Sequence, residues 1–168
     1  MSGTNYSSDV TDEQWEFVRR QFPKPAKCGR KPLDRRAVLN AILYVLWTGC
    51  QWRALPRDFP KWQSVYTNFR RWKLSGVWQS IHDKLRKRVR QAAGKKPTPT
   101  AAIVDSQTAK TAAVGGDEKG YDAGKKAQGR KRHIAVDTLG MVLCVVVHAA
   151  SIQDQDGAKL LLQKMKDN

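Results

Sequence analysis

Negative charge is scarce in this chain. Only 15 Asp and Glu stand against 31 Lys and Arg, which leaves a formal charge of +16 and a pI near 10.1 over 168 residues. Such a shortage argues for a polyanionic partner, because each phosphate neutralised by a basic side chain releases condensed counterions. Nucleic acid leads and an anionic membrane surface follows; charge carried for solubility alone needs a smaller excess. Cysteine is sparse too. Cys28, Cys50 and Cys144 lie far apart without a CxxC pair, which speaks against a disulfide framework and for reduced thiols. The three histidines, His82, His133 and His148, lack HxxxH spacing, so a zinc site is not expected. No apolar run approaches the roughly 20 residues of a membrane span. The polar opening MSGTNYSSD lacks a secretory pattern. The expectation is a cytoplasmic protein without a membrane partner.

What is present divides into two grammars. Residues 11–93 read as helices. Thr11 and Gln14 have capping-box spacing, and Trp15, Val18 and Phe22 then recur on one face. Pro23 and Pro25 close that helix, and a basic connector, KCGRKP, follows. Asp34 is an N-cap for a second helix whose Val38, Ile42, Val45 and Leu46 form a stripe, with Gly49 placed to end it. Gln51–Leu55 can form a short helix, and Gln63–Leu74 a further one. Gly76 breaks it, and Trp78, Ile81, Leu85 and Val89 define a last amphipathic helix.

GKKPTPT then reads as a linker over residues 94–100. Beyond it, over 101–168, the period changes. Ala101–Val104, His133–Val136 and Met141–Val147 read as three strands, Asp137–Gly140 as a turn, and Asp156–Lys166 as a helix bearing Leu160, Leu161 and Leu162. The segment between the first two strands, VGGDEKGYDAGKKAQGRK, reads as a mobile basic loop.

Short helix, turn and helix in the first half is helix-turn-helix grammar. Val65, Phe69 and Trp72 at i, i+4 and i+7 face a core, which turns Gln63, Thr67, Asn68, Arg70 and Arg71 outward, with Ser64 beside them. Amides and arginines of this kind reach base edges and phosphates in a major groove. The plainer alternative for one such helix is a solvated basic face, but Arg19, Arg20, Lys27, Arg30, Lys31, Arg35 and Arg36 make the whole half basic. Trp47, Trp52, Trp62 and Trp72 read as core residues rather than stacking platforms.

In the second half, a strand ending at Asp105 and followed by a hairpin and a helix reads as the opening of an RNase H-like fold. A meander of three strands would put Asp105 at the sheet edge near His148 and Asp137 at the opposite edge. Carboxylates that hold metal for phosphoryl transfer must converge, with two ions about 4 Å apart; Asp105 alone supplies one ligand. Asp154 and Asp156 lie on the correct side, where helix capping is the plainer role. Lys125, Lys126, Arg130, Lys131 and Arg132 would meet phosphate beside the site or form a solvated loop.

Several blocks are specific: VTDEQWEFV, GRKPLDRRAVLNAILYVLWTGCQWRALP, WQSVYTNFRRW, VDSQTAK, GYDAGKKAQGRKRHIAVDTLG and VVVHAASIQDQDGAKLLL. Together they resemble the insertion-sequence-five family of bacterial DDE transposases from Thr11 onward. The resemblance implies a mainly α helix-turn-helix domain for DNA ends, then an α/β RNase H-like domain with three antiparallel strands and one helix. It implies cutting and rejoining of double-stranded DNA with Mg²⁺ or Mn²⁺, at the nucleoid, by a multimer. The family's first catalytic Asp maps onto Asp105. The blocks that would carry its second Asp and its Glu are not in the sequence, so the sheet domain is expected to be incomplete, and either a second polypeptide completes the site or the chain serves as a non-catalytic repressor or is a decayed remnant. Alone it is expected not to cut.

Overall fold

Thr11 starts the first helix as its spacing predicts. Its hydroxyl accepts from the Gln14 N–H at 3.2 Å, and the Gln14 side chain accepts from the Thr11 N–H at 2.9 Å. The computed structural model describes residues 6–24, 33–111 and 119–167; the connector KCGRKP and residues 112–118 of the glycine-rich segment lie outside them. Helix α1 is Asp12–Val18 and tightens into a 3-10 turn over Arg19–Gln21. Phe22 is therefore buried from beyond the helix rather than on it.

Helix α2, Arg35–Thr48, is capped by Asp34, whose carboxylate accepts from the Arg36 N–H at 3.0 Å, and ends at Gly49 with φ +69°. A 3-10 turn at Trp52–Ala54 replaces the expected short helix. Helix α3 is Trp62–Leu74 and α4 is Val77–Ala92, with Gly76 at φ +74° between them. The chain divides into two compact units, Met1–Leu85 and Arg86–Asn168.

The core of the first unit is apolar. Val18, Phe22, Val38, Leu39, Ile42, Val65, Trp72 and Ile81 are buried together. Aromatic rings knit it: Phe22 lies 4.5 Å from Trp72, and Trp72 lies 5.7 Å from Trp78 between centroids. Two expectations fail here. Leu46 is 70% exposed and Trp47 75%, and neither joins the apolar cluster, to which α2 contributes Val38, Leu39, Ala41, Ile42 and Leu43. The apolar stripe is carried instead by Val38, Leu39, Ala41 and Ile42.

The second unit has four strands among the described residues, not three: β1 Ile103–Lys110, β2 Gly120–Asp122, β3 Ala127–Val136 and β4 Val142–Ala149, followed by helix α5 Asp154–Lys166. All pairings are antiparallel; β1 and β4 flank β3, and β2 extends the sheet as a hairpin with β3. A helical front followed by such a sheet and helix is consistent with the expected RNase H-like architecture. The described part of the supposed loop is thus mostly sheet. β3 begins at Ala127, six residues before the expected His133, because its buried alternate positions are Ala127, Gly129, Lys131, His133 and Ala135. Alternation was present, but glycine, lysine and histidine concealed it.

Candidate nucleic-acid interface and catalytic carboxylate

Helix α3 buries Val65 and Trp72 and leaves Gln63, Thr67, Arg70 and Arg71 exposed, with Ser64 and Asn68 half-buried. Tyr66, Thr67, Arg70, Arg71, Leu74 and Ser75 line a shallow depression on the helix. Asn68 does not point freely outward. Its amide donates to the Ser64 carbonyl at 2.8 Å, and its carbonyl oxygen accepts from the Arg71 guanidinium. Both ends of the amide are engaged, so Asn68 holds Arg71 in place instead of presenting a free adenine-reading fork.

Asp105 is the third residue of β1 and does not end it. Its register partner is Ile134, while the row containing His148 is Thr108–Lys131–His148. The expected position beside His148 is therefore wrong by three rows, because β1 continues to Lys110. Ile103 and Val104 are exposed, not buried. The Asp105 carboxylate accepts from the Ser106 N–H at 2.8 Å. Among the described residues no three His, Cys, Asp or Glu side chains gather where they could hold a metal ion. The described donor set therefore does not fit a two-ion clamp.

Asp137 is excluded from metal chemistry for a different reason than sheet position. It is fully buried, pairs with the Arg90 guanidinium, and accepts from the Leu139 and Met141 N–H groups at 2.9 Å. Burial alone would raise its pKa, but these donors more than reverse that and hold it below the usual range.

Lys131 is corrected from a phosphate contact to a buried strut. Its ammonium lies 2.9 Å from Asp154 and 3.4 Å from Asp122, and donates to the Ile152 carbonyl at 3.0 Å. Burial would lower its pKa, yet the two carboxylates raise it. Asp122 is held down to about 2, first by the Lys125 N–H and then by the Thr108 hydroxyl. Asp154, held low by Lys131, is the first residue of α5, and Asp156 pairs with Lys159 at 2.9 Å; neither caps the helix, whose N-cap is Gln153. Both still lie in the first turn, where the helix dipole favours them. Lys125 and Lys126 are exposed on the β2–β3 turn, and Arg130 lies half-buried in β3.

Beneath α5 sits a histidine pair. His148 Nδ1 lies 2.8 Å from the Ala149 carbonyl, so it donates, and its Nε2 accepts from His133 Nδ1 at 3.0 Å. His133 Nε2 is buried without a hydrogen-bond partner, 3.9 Å from Asp154. Gly157 permits this packing, since a Cβ there would fall 2.2 Å from the His133 ring. The sequence signalled none of this cluster beyond an alternation of small and polar residues.

Family comparisons now bear on these features. A model described as "transposase of IS4/5 family" matches residues 10–82, and one described as "Transposase DDE domain" matches residues 96–168. The "Insertion element IS402 uncharacterized 16.2 kDa protein" of Burkholderia cepacia is 33% identical over 117 residues, covering 66% of this chain and 77% of that protein. The chain belongs to the IS4/5 family of DDE transposases. "Uncharacterized protein y4sN" of Sinorhizobium fredii is 34% identical over 69 residues; the chain spans 55% of its length. No solved structure matches. Transposases of this family generally bind DNA ends, and their DDE domains generally use a divalent metal. No described helix of this IS4/5 transposase is long and apolar enough to cross a membrane.

Proposed function

We propose that this chain is the end-binding part of an insertion-element transposase, with a helix-turn-helix unit whose α3 grips the terminal repeats in double-stranded DNA. The observation that carries the reading is the division of α3: Val65 and Trp72 are anchored in an apolar core while Gln63, Thr67, Arg70 and Arg71 stand exposed on a basic chain. A helix seated in this way, with two arginines and the Gln63 amide on its free face, suits phosphate and base-edge contact.

In this proposal Asp105 is a metal ligand that the chain contributes toward strand cleavage and transfer, with Mg²⁺ or Mn²⁺ as the ion. No group of three His, Cys, Asp or Glu side chains that could hold a metal gathers among the described residues, so in this reading catalysis draws its further ligands from partners: a second polypeptide, further copies of the chain, or both. The second reading, a non-catalytic repressor that occupies element ends, needs only the exposed face of α3.

A binding and cutting experiment tests the proposal. The pure chain is titrated with duplex carrying the element's terminal repeat and with random duplex of equal length, then incubated with a supercoiled plasmid bearing both ends in Mg²⁺ or Mn²⁺. Preferential binding of the repeat without strand breakage supports the proposal. Equal affinity for every duplex refutes end recognition, and specific nicking refutes the claim that partners are required.

A further inference from the structure

We propose that Arg132, oriented by Gln107, is a positioning residue that clamps a DNA phosphodiester beside Asp105 on the sheet face opposite α5. The inference rests on the DNA reading above and adds to it a sheet face and an orienting partner.

Register defines the face. Asp105 pairs with Ile134 and Gln107 with Arg132. Residues directly opposite in an antiparallel pair share a face, as do positions i and i+2 along each strand. Asp105, Gln107, Arg132 and Ile134 therefore form one block. The intervening positions, Ser106, Thr108, Lys131 and His133, belong to the other face, where Lys131 meets Asp154 and His133 meets Gly157 of α5. Asp105 and Arg132 are diagonal neighbours, a relation that places such residues about 7–8 Å apart, within reach of a long side chain.

Two adjacent basic residues of β3 are thus built for different tasks. Lys131 is buried and neutralised by two carboxylates. Arg132 is exposed, and its guanidinium donates to the Gln107 side-chain oxygen at 2.6 Å. That bond uses one of the five N–H groups of the fork and favours one orientation of the guanidinium. Gln107 is neutral, so it orients the guanidinium without cancelling its charge. An oriented, solvent-facing guanidinium matches the bidentate geometry of a phosphate. A lysine at this position would keep the charge but lose the fork.

The test uses the full chain and a short duplex carrying the element's terminal repeat, with single phosphates replaced in turn by neutral methylphosphonate. Wild type is compared with Arg132→Gln, Arg132→Lys, Gln107→Ala and Arg71→Ala, each checked for unchanged amide exchange in β3. Arg132→Gln is expected to reduce the salt slope of log affinity by about 0.9, the value for one lost phosphate contact. One methylphosphonate position that weakens wild-type binding should have no further effect on Arg132→Gln. Arg132→Lys should keep the slope but bind several-fold more weakly, and Gln107→Ala should fall between Lys and wild type. If Arg132→Gln keeps the wild-type slope and sensitivity at every phosphate while Arg71→Ala weakens binding, the clamp is refuted and the α3 reading stands. If wild type binds no duplex at all, the DNA reading fails first and the clamp with it.

Discussion

The two units of the chain are held together by opposite means. The helical unit closes on Phe22, Ile42, Val65 and Trp72, an apolar and aromatic core. The sheet unit has a small apolar cluster around Ala135, Cys144 and Leu161, and surrounds it with buried charge and histidine: Arg90, Asp122, Lys131, His133, Asp137 and His148. An apolar core responds to lost volume. A polar core responds to lost partners and to pH, since a buried charge deprived of its counterpart keeps its desolvation penalty. All six tryptophans fall in the first unit, so tryptophan fluorescence reads one core and amide exchange in β3 and β4 reads the other.

The largest effects are expected where each core is struck at its own kind of bond. Trp72→Ala should destabilise the helical unit by about 3–5 kcal/mol, seen as a lower urea midpoint in fluorescence. Asp137→Ala strands Arg90 and frees the Leu139 and Met141 N–H groups, and should cost the sheet unit about 3–5 kcal/mol, seen as faster exchange in β3 and β4. A small change in that exchange would show that the pair is dispensable and the contrast between cores is overdrawn.

Gly157→Ala comes next. Its methyl would collide with the His133 ring and His148 Nε2, and overpacking of this kind costs about 1–3 kcal/mol. Thermal unfolding followed by amide exchange measures it. Thr11→Ala removes a reciprocal cap and should cost the helical unit about 1 kcal/mol in the same fluorescence assay.

Acid should separate the units. His133 is held neutral by burial and by His148, a lowered pKa, so its contribution is complete above its unfolded value of about 6.5 and fades as pH falls below it. Asp122, Asp137 and Asp154 also have lowered pKa values; their contributions persist above about 4 and are lost as pH falls toward about 2, the Asp122 value. Protection of the β3 and β4 amides, taken relative to the intrinsic exchange rate at each pH, should therefore fall from near pH 6 downward, ahead of any change in tryptophan emission. In alkali the order differs. Tyr6, hydrogen-bonded to Asp58 in the helical unit, is pushed up to about 12, so its contribution is present below about 10 and is lost as pH rises toward 12. Simultaneous acid transitions in both signals would erase the distinction.

The same contrast explains what could be read beforehand. Caps at Thr11 and Asp34 and the stop at Gly49 were legible, because capping needs particular side chains at fixed offsets. The seating of α3 by Val65 and Trp72 was legible because apolar residues at helical spacing declare a buried face. β3 escaped from Ala127 to Arg132 because its inward residues include Gly129 and Lys131, which no hydrophobic pattern marks as core. The length of β1 escaped because Ser106, Gln107 and Thr108 look like a turn, although Thr108 bonds Asp122 at 2.8 Å and Gln107 bonds Arg132. The candidate carboxylate was found by motif; its register needed the long-range pairing with β3. The bonds of Asn68 to Ser64 and Arg71 could not be read beforehand, since they depend on local side-chain geometry.

The central claim is that the exposed face of α3 recognises the element's ends. Fluorescence anisotropy of a labelled terminal-repeat duplex against a scrambled one, across a salt series, measures it directly when wild type is compared with a chain carrying both Arg70→Ala and Arg71→Ala. The expected result is preference for the repeat in wild type and loss of about 1–3 kcal/mol per base contact in the double variant. Undiminished preference in the double variant, or none in wild type, would contradict the claim.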